Sequence, residues 1–475
     1  LAGQLARADE VIGELVPGPI LSVPWDGAIQ IPEELGAFAP DALVVSVPEG
    51  ISPEGIGEWI DSIAGSIGPG ARRSNDPIEF TIIPRVADPQ DFGRAASIAS
   101  LSKTLVEAWS RIDALDEAGI QLRVALVDPW SMTDSTDPVL APSPALVAMG
   151  AVASQLADRR VIMVLPTPPG VRAVLLGPSS EAGRSRSGAI VAWSDGRDPG
   201  ASLSLYLGPD RITISDVFGN RVELDDGQAS DENQISTHSI PLSPEPSFIE
   251  GVDERIVALG ATFRIEPPFI PAIHESHDRT LVISNPFGAP IDIRYFITKP
   301  GSDSQGRRDR TWSVTPRSGT IQIASGEEGR IPISVVPSAV EEAGPKEFVL
   351  DAQVTADRPY GWIRMAAYAE LGLPGVRADV SVTPSPGPSG PDVVADVLIA
   401  NTGTEPLTLE VAAFAAGFPR QRSAASAVPP GASVVRRFAF PGAFDKLRGE
   451  RVIISVVDTG TGGRLNSGAQ IDAVP

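Results

Sequence analysis

The hydrophobic pattern of this chain changes period once, near Val161, and that change restricts what each part can fold into. Upstream, short apolar runs alternate with amphipathic segments of helical spacing, the pattern of βα units around a parallel sheet. Downstream, apolar residues recur at every second position and helical patterns almost vanish, as in antiparallel sheets with one buried face.

Four strands stand out upstream, at 20–24, 42–47, 78–84 and 122–127, each an unbroken apolar run of the kind expected of strands covered on both faces. Helices are predicted between and after them. The first covers 53–67, with Ser52 as N-cap and Pro53 at the first helical position. The second covers 91–118, with Phe92, Ile98, Leu101, Leu105 and Trp109 at near-helical spacing and Gly119 ending it. The third covers 144–160, following Ser143 and carrying Leu146, Met149, Val152 and Leu156. Downstream, strands are expected at 161–165, 171–176, 189–193, 203–207, 212–217 and 238–242, separated by Gly, Asp-Gly and Gly-Asn turns that suit an antiparallel sandwich. The acidic stretch 225–233 reads as a loop.

The remainder contains an internal repeat. Leu281-Val-Ile-Ser-Asn285-Pro-Phe-Gly-Ala-Pro290-Ile aligns with Val397-Leu-Ile-Ala-Asn401-Thr-Gly-Thr-Glu-Pro406-Leu: a strand, an Asn, a Pro five positions later and a second strand. The two asparagines are 116 residues apart, a length suited to one immunoglobulin-like domain. In each copy a Gly-containing turn precedes an apolar strand, at 326–336 and 431–440. A linker is expected near 373–376 and a boundary near 253–261. The domains expected are therefore 1–160, 161–258, 259–374 and 375–475.

With 46 Gly and 46 Pro against an aromatic content of 5%, the composition fits many short strands joined by turns. The net charge of −22 would repel a phosphate backbone, and no Lys/Arg stripe offsets it, so nucleic acid is not an expected partner; Ca²⁺ or a neutral sugar is compatible with it. The absence of cysteine excludes disulfides, zinc–thiolate sites, iron–sulfur clusters and cysteine nucleophiles. No apolar run is long enough for a membrane span. Leu1 opens a polar, amphipathic stretch in place of a signal peptide, so the chain reads as mature or truncated.

Val124-Ala-Leu-Val-Asp128-Pro-Trp130-Ser, a helix, and then Val161-Ile-Met-Val-Leu together resemble the last strand of a glycoside-hydrolase (β/α) barrel running into its accessory β-sandwich. Ile214-Ser-Asp216-Val-Phe-Gly219-Asn220, with Pro246-Ser-Phe-Ile-Glu250-Gly-Val-Asp253, is similar to closing strands of that sandwich, and 262–372 resembles immunoglobulin-like modules appended to carbohydrate-active and cell-surface proteins. The resemblance implies a multidomain chain with a partial (β/α) barrel, strands five to eight, followed by three antiparallel β-sandwich domains. It also implies an extracellular or cell-surface location. The strand that would be the seventh ends Ile82-Ile-Pro84-Arg85-Val86 without the expected catalytic Glu.

Carboxylates sit at the strand ends: Asp26, Glu49, Asp88 and Asp128. Barrel chemistry gathers there, and glycoside hydrolysis needs two such groups, which makes Glu49 and Asp128 the catalytic candidates. The same residues before Gly or Pro also serve as caps and turn formers. Trp25 and Trp130 are candidates for stacking on sugar rings, as the resemblance implies for the final strand, or are ordinary core or rim residues. Asp128, Asp134 and Asp137 lie on one short loop as candidate Ca²⁺ ligands or as a solvated loop; no other cofactor is expected. His274 and His277 either share a metal or form a hydrogen-bonded turn between domains.

Three functions are compatible with these residues. The first is a structural or carbohydrate-binding component with polysaccharide as its partner. The second is a glycoside hydrolase whose N-terminal barrel half lies on another chain. The third is self-assembly through exposed sheet edges, which would also complete the half barrel.

Overall fold

A computed structural model of the chain describes residues 22–25, 42–66, 77–86, 93–127, 129–132, 140–168, 170–179, 187–198, 200–224, 235–300, 312–388 and 390–471. Strand accounts for 51% and helix for 16%, so β-structure dominates. The chain forms two compact units, residues 1–231 with 237–261, and residues 232–236 with 262–475.

The first unit opens with four parallel strands in sequential order, Ser22–Trp25, Ala42–Ser46, Ile78–Ile83 and Ile120–Val124. Leu43, Val45, Phe80, Ile82 and Leu122 pack from one face onto Ile56, Ile60 and Ile63 of the helix Ile56–Ser66, and onto Ala108 and Leu115. The opposite face carries Glu79, Gln121 and Arg123, with Arg123 paired to Glu79 at 2.6 Å. The same face also holds buried Ala42 and half-buried Val44 and Ile83, so among the described residues it is mixed in character.

The helix expected over 91–118 is two helices, Arg94–Trp109 and Ile112–Glu117, divided at Ser110 and Arg111. In a (β/α) barrel each helix keeps one wet face. Arg94–Trp109 is instead buried on nearly every side from Ser97 to Ala108. Ala108 joins the core of the parallel sheet, while Ile98, Leu101, Leu105 and Val106 pack with the helix Pro144–Leu156 against an antiparallel sheet. That sheet has six strands, ordered Arg221–Leu224, Ile212–Ser215, Ser247–Val252, Gly188–Ser194, Val171–Pro178 and Arg159–Val164. No partial (β/α) barrel followed by a separate accessory sandwich forms, because the helix that would coat a barrel is the filling between two sheets.

Burying that helix also buries charge. Glu107 is 1% exposed and is held by Arg172 through two bonds, Nε to Oε1 at 2.7 Å and Nη2 to Oε2 at 2.9 Å. Lys103 lies 5.9 Å from the centre of the Trp193 ring, and burial holds its ammonium below the usual lysine range against the opposing pull of Glu54, Glu245 and Asp195.

The second unit holds two antiparallel immunoglobulin-like sandwiches of one topology. In the first, a sheet ordered Arg264–Glu266, His277–Ser284, Glu328–Val336 and Ser313–Thr315 faces a six-stranded one ordered Ile235–Ser236, Pro359–Gly372, Gly344–Thr355, Ile291–Thr298 and Ser318–Ile323, in which Ile235–Ser236 and the sixth strand, Phe269–Pro271, both pair in parallel with Pro359–Gly372. In the second, Val376–Ser385, Asp392–Asn401 and Ser433–Phe440 face Gln421–Val428, Leu407–Phe414, Arg451–Asp458 and Arg464–Gln470. The second core is built from alternate residues of both sheets, among them Val393, Val397, Val411, Phe438, Phe440, Ile454 and Val456.

The repeated asparagine is a corner in both copies. Asn285 and Asn401 are each 2% exposed. The Oδ1 of each accepts the N–H two residues on, from Phe287 at 2.8 Å and Gly403 at 2.9 Å. Each Nδ2 donates to the carbonyl four residues on, of Ala289 at 2.9 Å and Glu405 at 2.8 Å. It also reaches across the sandwich, to Ile323 and Ala324 in the first copy and to Val428 in the second. The backbone carbonyl of each accepts from a glycine with φ of 74°, Gly326 or Gly431, a conformation that suits a residue without Cβ.

Two stability predictions follow from these buried polar groups. Asn401→Ala orphans the Glu405 and Val428 carbonyls and should lower the stability of its unit by about 2–4 kcal/mol in urea unfolding, and Asn401→Asp, which turns a carboxylate toward those oxygens, should cost at least as much. Arg172→Met leaves Glu107 uncompensated and should cost the first unit about 3–5 kcal/mol. The double variant Arg172→Met/Glu107→Leu should recover much of that loss.

Candidate functional site

Asp26, Asp88, Asp128, Asp134 and Asp137 lie outside the described residues, as does the ring of Trp25, whose backbone ends the strand Ser22–Trp25. Glu49 is exposed and paired with Arg85 at 2.8 Å. Trp130 is 52% exposed on the short strand Trp130–Met132, paired with Leu140–Pro142. His274 Nδ1 lies 2.9 Å from the Pro337 carbonyl, and His277 Nε2 lies 3.1 Å from that of Ile273. Each imidazole is thus engaged by its own backbone partner. Among the described residues no group of three or more His, Asp or Glu side chains gathers where a metal would bind, and no helix is long and apolar enough to cross a membrane.

A better-formed site lies on the outer face of the first sandwich. The strand Ile291–Thr298 alternates buried and exposed positions: Ile291, Ile293, Tyr295 and Ile297 enter the core, while Asp292, Arg294 and Phe296 point out. Antiparallel register places outward residues of neighbouring strands in rows, since directly paired residues share a face. One row is Gln322, Asp292 and Thr355. The next is Thr320, Arg294, Gln353 and Trp362, and the third is Ser318, Phe296, Asp351 and Arg364. The first two rows, short of Trp362, line a shallow depression of about 330 Å³ floored by the backbone of Ile293 and Ile321.

The third row is already paired within itself. Arg364 clasps Asp351 through Nε to Oδ1 at 2.7 Å and Nη2 to Oδ2 at 3.0 Å, and that bond holds the guanidinium above its ordinary range. The Arg317 guanidinium lies 4.8 Å from the centre of the Phe296 ring. By contrast, Asp292, Arg294, Thr320, Gln322, Gln353 and Thr355 are given no side-chain partner by the described residues, and Trp362 stands half-buried next to Gln353 in the second row, with Ile235 paired beyond it. The depression thus presents a carboxylate acceptor, a five-donor guanidinium, two amides and two hydroxyls.

Gly319 keeps this edge close. A Cβ there would come within 2.5 Å of the Tyr295 hydroxyl, beneath the strand that carries Thr320 and Gln322. None of the lining residues was anticipated from sequence. The available signal was the run Asp292-Ile-Arg294-Tyr-Phe296, in which every outward position of a strand otherwise rich in Ile can bond or stack.

No protein-family model matches the chain, and no curated protein sequence matches it. Among solved structures it is similar to the Pseudomonas aeruginosa CupB2 chaperone, at 15% identity over 43% of this chain and 98% of that one, with a TM-score of 0.16. It is also similar to red sea bream transglutaminase, at 14% identity over 55% and 37% with a TM-score of 0.22. A Salmonella alpha-2-macroglobulin mutant matches at 11% identity over 65% and 24%, with a TM-score of 0.23. Scores of this size carry no conclusion, and the architecture rests on the strand orders given above. The likeness to glycoside hydrolases read from 124–165 is corrected by those strand orders: the segment joins a four-stranded sheet to a helix-backed antiparallel one, and barrel strands five to eight are not what it forms.

Tyr368 offers a direct check on this face. Burial first, and then the charge of Glu347 together with the bond to its Oε1 at 3.1 Å, hold the phenol above the usual tyrosine range. Glu347→Gln should therefore lower the pH at which Tyr368 ionises, read by ultraviolet difference spectroscopy against Tyr368→Phe.

Proposed function

We propose that this chain is an extracellular or cell-surface structural component that holds carbohydrate on the outer face of its first sandwich. The observation that carries the proposal is the set of polar side chains in the depression to which the described residues give no partner, with Trp362 beside them. Sugars are recognised by acceptors and donors shared among adjacent hydroxyls, and by aromatic faces that cover their C–H surfaces. Asp292 accepts, Arg294 donates, and Gln322 and Gln353 do both. The net charge of −22 disfavours polyanions, and a neutral sugar suits a depression that carries one acidic and one basic side chain, Asp292 and Arg294.

Binding is favoured over hydrolysis by the same geometry. Cleavage of a glycosidic bond takes two carboxyl groups flanking it. Among the described residues Asp292 is the one carboxylate that lines the depression.

Affinity electrophoresis through gels containing soluble neutral polysaccharides tests this. The full chain should be retarded by at least one of cellulose-, mannan- or xylan-derived polymers. Arg294→Ala and Gln353→Ala, both exposed, should weaken retention by about tenfold or more each while leaving the thermal midpoint unchanged. Unretarded migration in every gel, or equal retardation of wild type and both variants, would overturn the assignment.

A further inference from the structure

We infer that the depression takes an internal stretch of an extended, neutral glycan, about three hexose units long, lying across the strands. This rests on the carbohydrate-binding proposal and specifies its ligand. The row Thr320, Arg294, Gln353 and Trp362 takes one residue from each of four adjacent strands. Neighbouring strands lie about 4.8 Å apart, so the row spans about 14 Å. An extended hexose chain advances by nearly one such spacing per sugar, so the three intervals between the four strands take three units.

The alternative course, along the strands, fits less well. Residues on one face of a strand recur every second position, about 6.8 Å apart, and a hexose repeat falls out of step with that interval within a few units. Running across the strands, Trp362 stacks on the sugar at one end, Arg294 and Gln353 bond the hydroxyls of the middle unit, and Asp292 and Gln322 reach them from the adjacent row. Thr320 lies on the edge strand Ser318–Ile323, so the row ends at the sheet edge, where the glycan continues past it. A chain lying over an open edge is gripped along its length, not at its terminus.

Isothermal titration of the full chain with cello-, manno- and xylo-oligosaccharides, each from the monosaccharide upward, separates this inference from the proposal beneath it. In the series that binds, affinity should rise by about tenfold per unit up to the trisaccharide and then level off. Trp362→Ala should reduce the trisaccharide to the affinity of the disaccharide. Trp362→Phe, which keeps a ring in the same packing, should retain most of the gain, and exposed Gln353→Ala should lower every length beyond the monosaccharide. A monosaccharide that binds as tightly as the trisaccharide, or preference for oligogalacturonate over all neutral ladders, overturns the inference and leaves carbohydrate binding intact. Absence of heat and of competition with every saccharide overturns both.

Discussion

Each sandwich of the second unit turns on one buried primary amide. At the end of its second strand the chain must reverse, and backbone groups of three segments converge where no ladder can pair them. An asparagine supplies two donors and an acceptor at that reach, whereas aspartate lacks the donors and glutamine is one methylene longer. Asn285 thereby ties its own turn to the Ile323 and Ala324 carbonyls, which end the edge strand carrying Thr320 and Gln322. This corner, 2% exposed, thereby holds the end of a strand that lines the depression.

The first unit solves a different problem. Its helix Arg94–Trp109 has apolar residues on more than one side and is filled in between a parallel sheet and an antiparallel one. That placement forces Lys103 and Glu107 inside, where each needs an answering group. Arg172 answers Glu107 with a bidentate bond, and Trp193 offers its ring face to Lys103. These pairs do more to specify how the two sheets meet than to stabilise them, since buried ion pairs spend most of their attraction on desolvation.

The sandwiches also manage their free edges. In the second copy Arg436 points inward from Ser433–Phe440 and its Nε donates to the Ala424 carbonyl at 2.8 Å, while Gln421 Nε2 donates to Ala439 at 2.6 Å. A charge turned into the rim discourages pairing with another chain at that edge. In the first copy two outward rows, one of Gln322, Asp292 and Thr355 and one of Thr320, Arg294 and Gln353, are instead given no side-chain partner by the described residues.

Read alone, the sequence determined the change from mixed to antiparallel structure near Val161, the helix starts at Ser52 and Ser143, and the repeat marked by Asn285 and Asn401, because period, capping chemistry and a corner amide are local demands. It misjudged the region before Val161: apolar runs such as 78–84 suit a barrel strand and a strand of another parallel sheet equally, and the apolar stripe of a helix does not say what covers its other sides. The candidate site was beyond its reach for a related reason. Asp292, Thr320 and Gln353 are separated by dozens of residues and are brought side by side only by strand register, which depends on pairing between distant segments and is written in no single stretch of chain.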